Sequence, residues 1–164
     1  MVRHKDTPII LTGGVDDIWQ DTITKQLIVV DYKSQAKNSA VDPDEYLEDA
    51  YHDAYKTQMD FYAYLLLKMG FDVHRTAYFL VCNADRHKEN FNQVMTFEES
   101  LVPYDWNAGW IEAEVDAMVA LMNQQQIPEP NESCKNCAYA DQYARAVHPE
   151  GNGESKPVQR RLFF

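Results

Sequence analysis

Leu27-Ile-Val-Val-Asp31-Tyr-Lys33 is an apolar, β-branched run that ends by presenting a carboxylate and an amine two residues apart. Its composition favours a central strand finishing at a site. Side chains alternate along a strand, so Asp31 and Lys33 share one face while Tyr32 points to the other. The polar stretch 21–26 before it has hairpin length, and Val15-Asp-Asp-Ile-Trp19 reads as the partner strand. A turn centred between Ile23 and Thr24 makes antiparallel partners sum to 47, which sets Asp16 opposite Asp31. Their β-carbons are then about 5 Å apart. Two carboxylates that close repel unless a cation lies between them, and hard oxygen donors suit Mg2+ or Mn2+. Spacing alone is equally compatible with a salt bridge at a strand end. Asp17 faces away from Asp16, so only one of them meets Asp31, and Asp17 is expected at the solvent.

Outward from this hairpin, Pro8-Ile-Ile-Leu11 is a short apolar strand candidate, and Gly13-Gly14 permits a bend or a close backbone approach. Asp42-Pro-Asp44 is a helix-start signal with Asp44 as N-cap. The helix is expected from Glu45 to Met69, with Tyr51, Tyr55, Gln58, Tyr62, Leu65 and Met69 on one face and Gly70 closing it. Two more strands are expected over His74–Asn83 and Phe91–Phe97, joined by a polar hairpin at 84–90. A second helix is expected from Asp105 to Gln125, stopped by Pro128 and Pro130. This order predicts a mixed α/β domain with antiparallel hairpins over residues 1–147. The Gly-, Pro- and charge-rich segment 148–164 follows as a C-terminal tail.

Gly14-Val-Asp16, Val30-Asp31-Tyr-Lys33 and Gln58-Met-Asp-Phe-Tyr62 occur in that order, on strand, strand and helix. The set resembles the Gly-x-Asp, Asp-x-Lys and Gln-x-x-x-Tyr series of the PD-(D/E)XK nuclease superfamily, in its RecB-like branch. That branch includes the nuclease domains of bacterial recombination helicases and the CRISPR-adaptation exonucleases. The resemblance implies a restriction-endonuclease-like mixed sheet flanked by helices, and a Mg2+- or Mn2+-dependent deoxyribonuclease of DNA repair or of phage and CRISPR defence. By resemblance Asp16, Asp31 and the carbonyl of Tyr32 are metal ligands, Lys33 is the catalytic lysine, and Gln58 and Tyr62 line the DNA side. Gln58 and Tyr62 stand at i and i+4, on one helix face. The family's usual N-terminal helix, with its His or Glu metal contact, has no counterpart before Pro8, and His4 is a poor substitute. Either the chain is a truncated or minimal core, or a protein partner or second subunit supplies that element. The alternative is an inactive nuclease-fold module that binds DNA or protein within a larger assembly.

Cys134-Lys-Asn-Cys137 resembles the C-terminal cysteine patch with which many RecB-like nucleases hold a [4Fe–4S] cluster. A cluster needs four thiolates. Only Cys82 remains, inside a strand-like apolar run where burial is expected. The pair is therefore expected to be the remnant of a lost site, with no iron–sulfur cluster; His148 is the nearby candidate were it a zinc site. Three cysteines suit a reducing compartment, and neither a signal peptide nor a membrane span is expected, so the expected location is cytoplasmic. The net charge of −11 opposes binding to a polyanion. Its distribution is uneven: residues 1–37 carry five basic and five acidic side chains, and residues 38–133 carry five basic and eighteen acidic.

Overall fold

The computed structural model describes residues 1–86, 94–126, 128 and 133–147. The main sheet has four strands: β3 (Asp17–Gln20), β4 (Leu27–Gln35), β5 (Thr76–Ala84) and β6 (Phe97–Asp105). Their spatial order is β3-β4-β5-β6; β4 and β5 run parallel, and both outer pairs are antiparallel. Helix α1 (Asp53–Lys68) makes the crossover that a parallel pair requires. A separate pair, β1 (Val2–Arg3) with β2 (Ile10–Leu11), precedes the sheet, so Pro8–Leu11 belongs to an N-terminal hairpin. Helices α2 (Ile111–Met122) and α3 (Lys135–Val147) complete the described elements. The chain clusters into two compact units, Met1–Val119 and Ala120–Phe164. The tail 148–164 lies outside the described residues. No helix among the described residues is long and apolar enough to cross a membrane.

The β3–β4 turn is built by Asp21, whose Oδ1 accepts the backbone N–H groups of Ile23 and Thr24 and the Thr24 hydroxyl. Lys25 takes the left-handed conformation at φ 66° that closes it. The resulting register pairs Asp17 with Val30 and Ile18 with Val29, the sum of 47 expected from the sequence. Val29, Asp31 and Lys33 then share a face with Ala77, Phe79 and Val81 of β5. That face packs under α1 through Met59, Tyr62, Ala63 and Leu66. Stripping apolar surface of this kind from water contributes about 25 cal/mol per Å².

Several boundaries differ from expectation, each for a local reason. The first helix does not begin at Glu45. Two 3-10 turns, Tyr46–Glu48 and Ala50–His52, come first, because the Asp49 carboxylate captures the Tyr51 N–H and holds Asp49 extended. Asp44 is not a cap; its own N–H donates to Asp42 Oδ1. The helix end is as expected: Gly70 at φ +88° follows a C-cap at Met69, with Gly70 N–H on Leu67 O and Phe71 N–H on Leu66 O, a Schellman closure. Tyr51 and Met69, at the two ends of the expected apolar face, are exposed.

The strand expected at Phe91–Phe97 is instead β6. Residues 91–93 and the hairpin positions 87–90 lie outside the described residues, and pairing begins only at Ala84 with Phe97. Pro103 disguises this strand in the sequence; it is tolerated because β6 is an edge. The second helix starts six residues late because Asp105 still pairs with Thr76. It ends at Met122, well before Pro128. Helix α3 was not foreseen. Cys82 is half-buried on the less covered face of β5, and not buried as expected.

Candidate active site

The β3–β4 ladder opens at Asp17, and the next side chain back takes over its hydrogen bonding. Asp16 Oδ2 accepts the Tyr32 backbone N–H at 2.9 Å, which turns the exposed Asp16 carboxylate toward β4. Asp31 is 1% exposed at the middle of the sheet. Neither of its oxygens accepts a well-directed hydrogen bond, and its compensation is an ion pair from Oδ2 to Lys33 Nζ at 2.5 Å. Burial pushes the Asp31 pKa above the ordinary carboxylate value; Lys33 opposes the rise, and the adjacent Asp16 charge adds to it.

Lys33 Nζ also donates to Gln58 Oε1 at 3.0 Å, and Gln58 Nε2 donates to the Tyr62 hydroxyl at 2.7 Å. Asp31, Lys33, Gln58 and Tyr62 therefore form one connected chain from the sheet into α1. Tyr62 itself is buried in the core, and its ring explains Gly13: a β-carbon there would lie 2.8 Å from Tyr62 Cε1. Gly14, the motif glycine, has no atom within 4 Å of the position a β-carbon would take.

Sequence reasoning missed an aromatic support behind the lysine. Lys33 Nζ sits 4.3 Å from the centroid of the Tyr55 ring, a cation–π contact. Tyr55 stacks on His52, and His52 on Tyr46, at centroid distances of 5.1 and 4.2 Å. Burial, with the nearby Tyr55 and Asp31 charges, pushes the Tyr46 hydroxyl up to about 12. The break at Asp49 is what folds Tyr46 back into this stack. No sequence periodicity signals such a stack, because it depends on the 3-10 turns.

Asp17 departs from its expected place in solvent. It is half-buried: Oδ1 accepts the Ile18 N–H, and Oδ2 accepts both Trp19 Nε1 and the Tyr32 hydroxyl. Those bonds hold its pKa below the usual carboxylate value. Its partner Tyr32 points away from Asp31, so Asp17 lies on the opposite face. His4 is buried by a 2.7 Å contact between Nε2 and Asp116 of α2, away from the carboxylate pair. Among the described residues no helix precedes the sheet. In the second unit, Cys137 N–H donates to Cys134 Sγ at 3.4 Å where α3 begins. The Cys137 side chain, and then backbone donors, lower the Cys134 thiol pKa. His148 lies outside the described residues.

The family model for the PD-(D/E)XK nuclease superfamily matches residues 2–142. The chain belongs to that superfamily. Comparison with curated proteins and with solved structures returned no match. The mixed four-stranded sheet with its helices is a restriction-endonuclease-like core. PD-(D/E)XK nucleases generally use divalent metals such as Mg2+ or Mn2+. The donor set here fits such an ion: a buried carboxylate lies beside a second carboxylate, both hard donors. No group of three or more His, Cys, Asp or Glu gathers for a metal among the described residues. Two carboxylates suffice for Mg2+, which keeps several waters and takes substrate phosphate oxygens as ligands. A cavity of about 680 Å3 opens elsewhere, where β4 and β5 begin, lined by Gln26, His74, Arg75 and Asp105. Neither Asp16 nor Asp31 is part of its lining.

Proposed function

We propose that this PD-(D/E)XK domain is a Mg2+- or Mn2+-dependent nuclease that hydrolyses DNA phosphodiester bonds, at ends or in single strands. The observation that carries the reading is Asp31, a buried carboxylate whose partner is the Lys33 ammonium, with the Asp16 carboxylate beside it. Burying a carboxylate and its ammonium partner beside a second carboxylate is costly in a fold with no use for them.

Asp16, Asp31 and the carbonyl of Tyr32 would hold the ion. When bound, the ion polarises the phosphodiester and lowers the pKa of a water that can attack it. Lys33 places a positive charge beside the site and stabilises the charge that develops on phosphoryl oxygens. Gln58 fixes the lysine through Oε1, while Tyr62 fixes Gln58 through its hydroxyl, so Tyr62 is a positioning residue. Tyr55 supports the ammonium from behind. The connected Lys33–Gln58–Tyr62 chain also supports placement in the RecB-like branch.

A second reading is favoured by two observations: the N-terminal residues form a hairpin, and the chain is strongly acidic. On that reading the fold is an inactive module, or its site is completed by a protein partner or second subunit. Calorimetric titration with Mn2+ beside cleavage of labelled single-stranded and duplex DNA separates the two. Metal binding with cleavage that Asp31→Asn abolishes supports the nuclease. Metal binding without cleavage by the wild type supports the incomplete site. Equal cleavage by wild type and Asp31→Asn would sink the assignment of this site.

A further inference from the structure

Within the first unit, α1 and α2 meet over Tyr64, Leu65, Ile111 and Val115. Beside this cluster a cavity of about 410 Å3 opens, walled by Phe61, Trp110, Ile111, Val115 and Met118. That is the size and apolar character of a small-ligand site. Gln58 is also part of its lining, and Gln58 Oε1 lies 3.0 Å from Lys33 Nζ. One side chain therefore separates the cavity from the lysine of the proposed active site. Both ends of the Gln58 amide are engaged, by Lys33 and by Tyr62, and the Thr57 hydroxyl donates to Asp53 O. The charged group among the lining residues is the exposed Glu114 carboxylate, an acceptor only.

The charge of the chain argues for such a site. Nucleic-acid affinity ordinarily comes from neutralising phosphates and releasing their counterions. A chain of net charge −11, with eighteen acidic against five basic residues over 38–133, has little of that to offer. Binding must then lean on contacts that do not depend on phosphate, and burying a base between apolar and aromatic walls is the available kind.

We propose that the α1–α2 cavity is a nucleobase subsite that receives a base adjoining the bond cleaved at the Lys33 site. A base enters a cavity only unstacked and unpaired, so the subsite selects single strands and frayed ends over intact duplex. The Glu114 carboxylate favours bases with an exocyclic amine, adenine, cytosine and guanine, over thymine, whose single ring N–H lies between two carbonyl oxygens that repel a carboxylate. The inference rests on the nuclease reading for its substrate, but its binding test is separate from catalysis.

The test uses methyl-labelled full-length protein without metal, titrated with deoxycytidine, deoxyadenosine and thymidine. The expected result is shifts at the Met118, Val115 and Ile111 methyls with the first two, none at Val102 in the main core, and about tenfold weaker binding of thymidine. Ala54→Trp adds bulk at an exposed lining position and should abolish the shifts with the circular dichroism spectrum unchanged; Met118→Trp is the second blocking variant. In Mn2+, either block should raise KM for a single-stranded oligonucleotide about tenfold while kcat holds. Glu114→Gln should remove the preference for amine-bearing bases. No methyl shifts with any nucleoside, or a KM untouched by both blocks, overturns the subsite and leaves the nuclease reading standing. Shifts that the blocks abolish, in a protein that cleaves nothing, uphold the subsite and defeat the nuclease reading.

Discussion

The two faces of the β3–β4 hairpin carry acidic residues in opposite circumstances. On the face away from α1, Asp17 accepts hydrogen bonds from Ile18, Trp19 and Tyr32, and its carboxylate is held ionised by them. On the face under α1, Asp31 is more deeply buried, accepts no directed hydrogen bond, and has its pKa driven up by that burial. The contrast runs against ordinary folding logic, in which the deeper group is the better satisfied one. A satisfied carboxylate serves the fold. One whose partner is an ammonium, beside a second carboxylate, supports the proposed metal reading.

The largest expected effect breaks this contrast directly. Asp31→Asn should reduce Mn2+-dependent cleavage at least a hundredfold, the scale of losing an electrostatic contributor to the transition state. The matched Asp17→Asn should leave cleavage within about threefold of wild type, since its side chain lies on the face away from Asp31 and Lys33. Their metal-free thermal midpoints should move oppositely: Asp31→Asn removes a buried charge and holds or raises the midpoint, while Asp17→Asn weakens three bonds and lowers it. A large cleavage loss in Asp17→Asn would erase the distinction between the faces.

The next pair is one residue along. Lys33→Ala should likewise cost about a hundredfold or more in cleavage. Calorimetry should show Mn2+ binding retained or tightened, because a nearby positive charge is gone. Tyr32→Phe, which loses only the bond to Asp17 on the other face, should cleave nearly as well as wild type. Loss of metal binding in Lys33→Ala would show that the lysine organises the carboxylates instead of acting on substrate.

A buried carboxylate of α1 itself sharpens the comparison by behaving as Asp31 does not. Asp60 accepts the Tyr104 hydroxyl and the Asn107 N–H on Oδ1 and Trp110 Nε1 on Oδ2, pinning the β6–α2 connection to α1. Asp60→Leu should destabilise the domain by about 3 kcal/mol or more, since each orphaned donor costs roughly 1–3 kcal/mol. Chemical denaturation measures it; a loss under about 1 kcal/mol would mean the connection finds other partners.

The smallest effect separates two adjacent glycines. Gly13→Ala forces a β-carbon against the Tyr62 ring and should cost about 1–3 kcal/mol as overpacking. Gly14→Ala meets open space and should change stability by about 0.5 kcal/mol or less. Equal destabilisation by both would remove the packing explanation for the pair.

What the sequence by itself determined is what depends on alternation along strands and on short-range turn chemistry. The hairpin arithmetic predicted the β3–β4 register, because Asp21 closes a local turn and every pair outward from it follows. The common face of Asp31 and Lys33, the Gln58–Tyr62 pairing at i and i+4, and the closure at Gly70 followed for the same reason. Tertiary structure alone decided the rest. It extended pairing through Pro103 and Asp105, which no local propensity favours, because β5 offered a partner. It let the Asp49 side chain interrupt a helical pattern, since the break buries Tyr46 and His52 behind Tyr55. It joined Lys33 to Gln58, twenty-five positions away, and opened a cavity on the far side of that same amide. Such contacts are set by how a helix lies across a sheet, and neither residue type nor spacing encodes that placement.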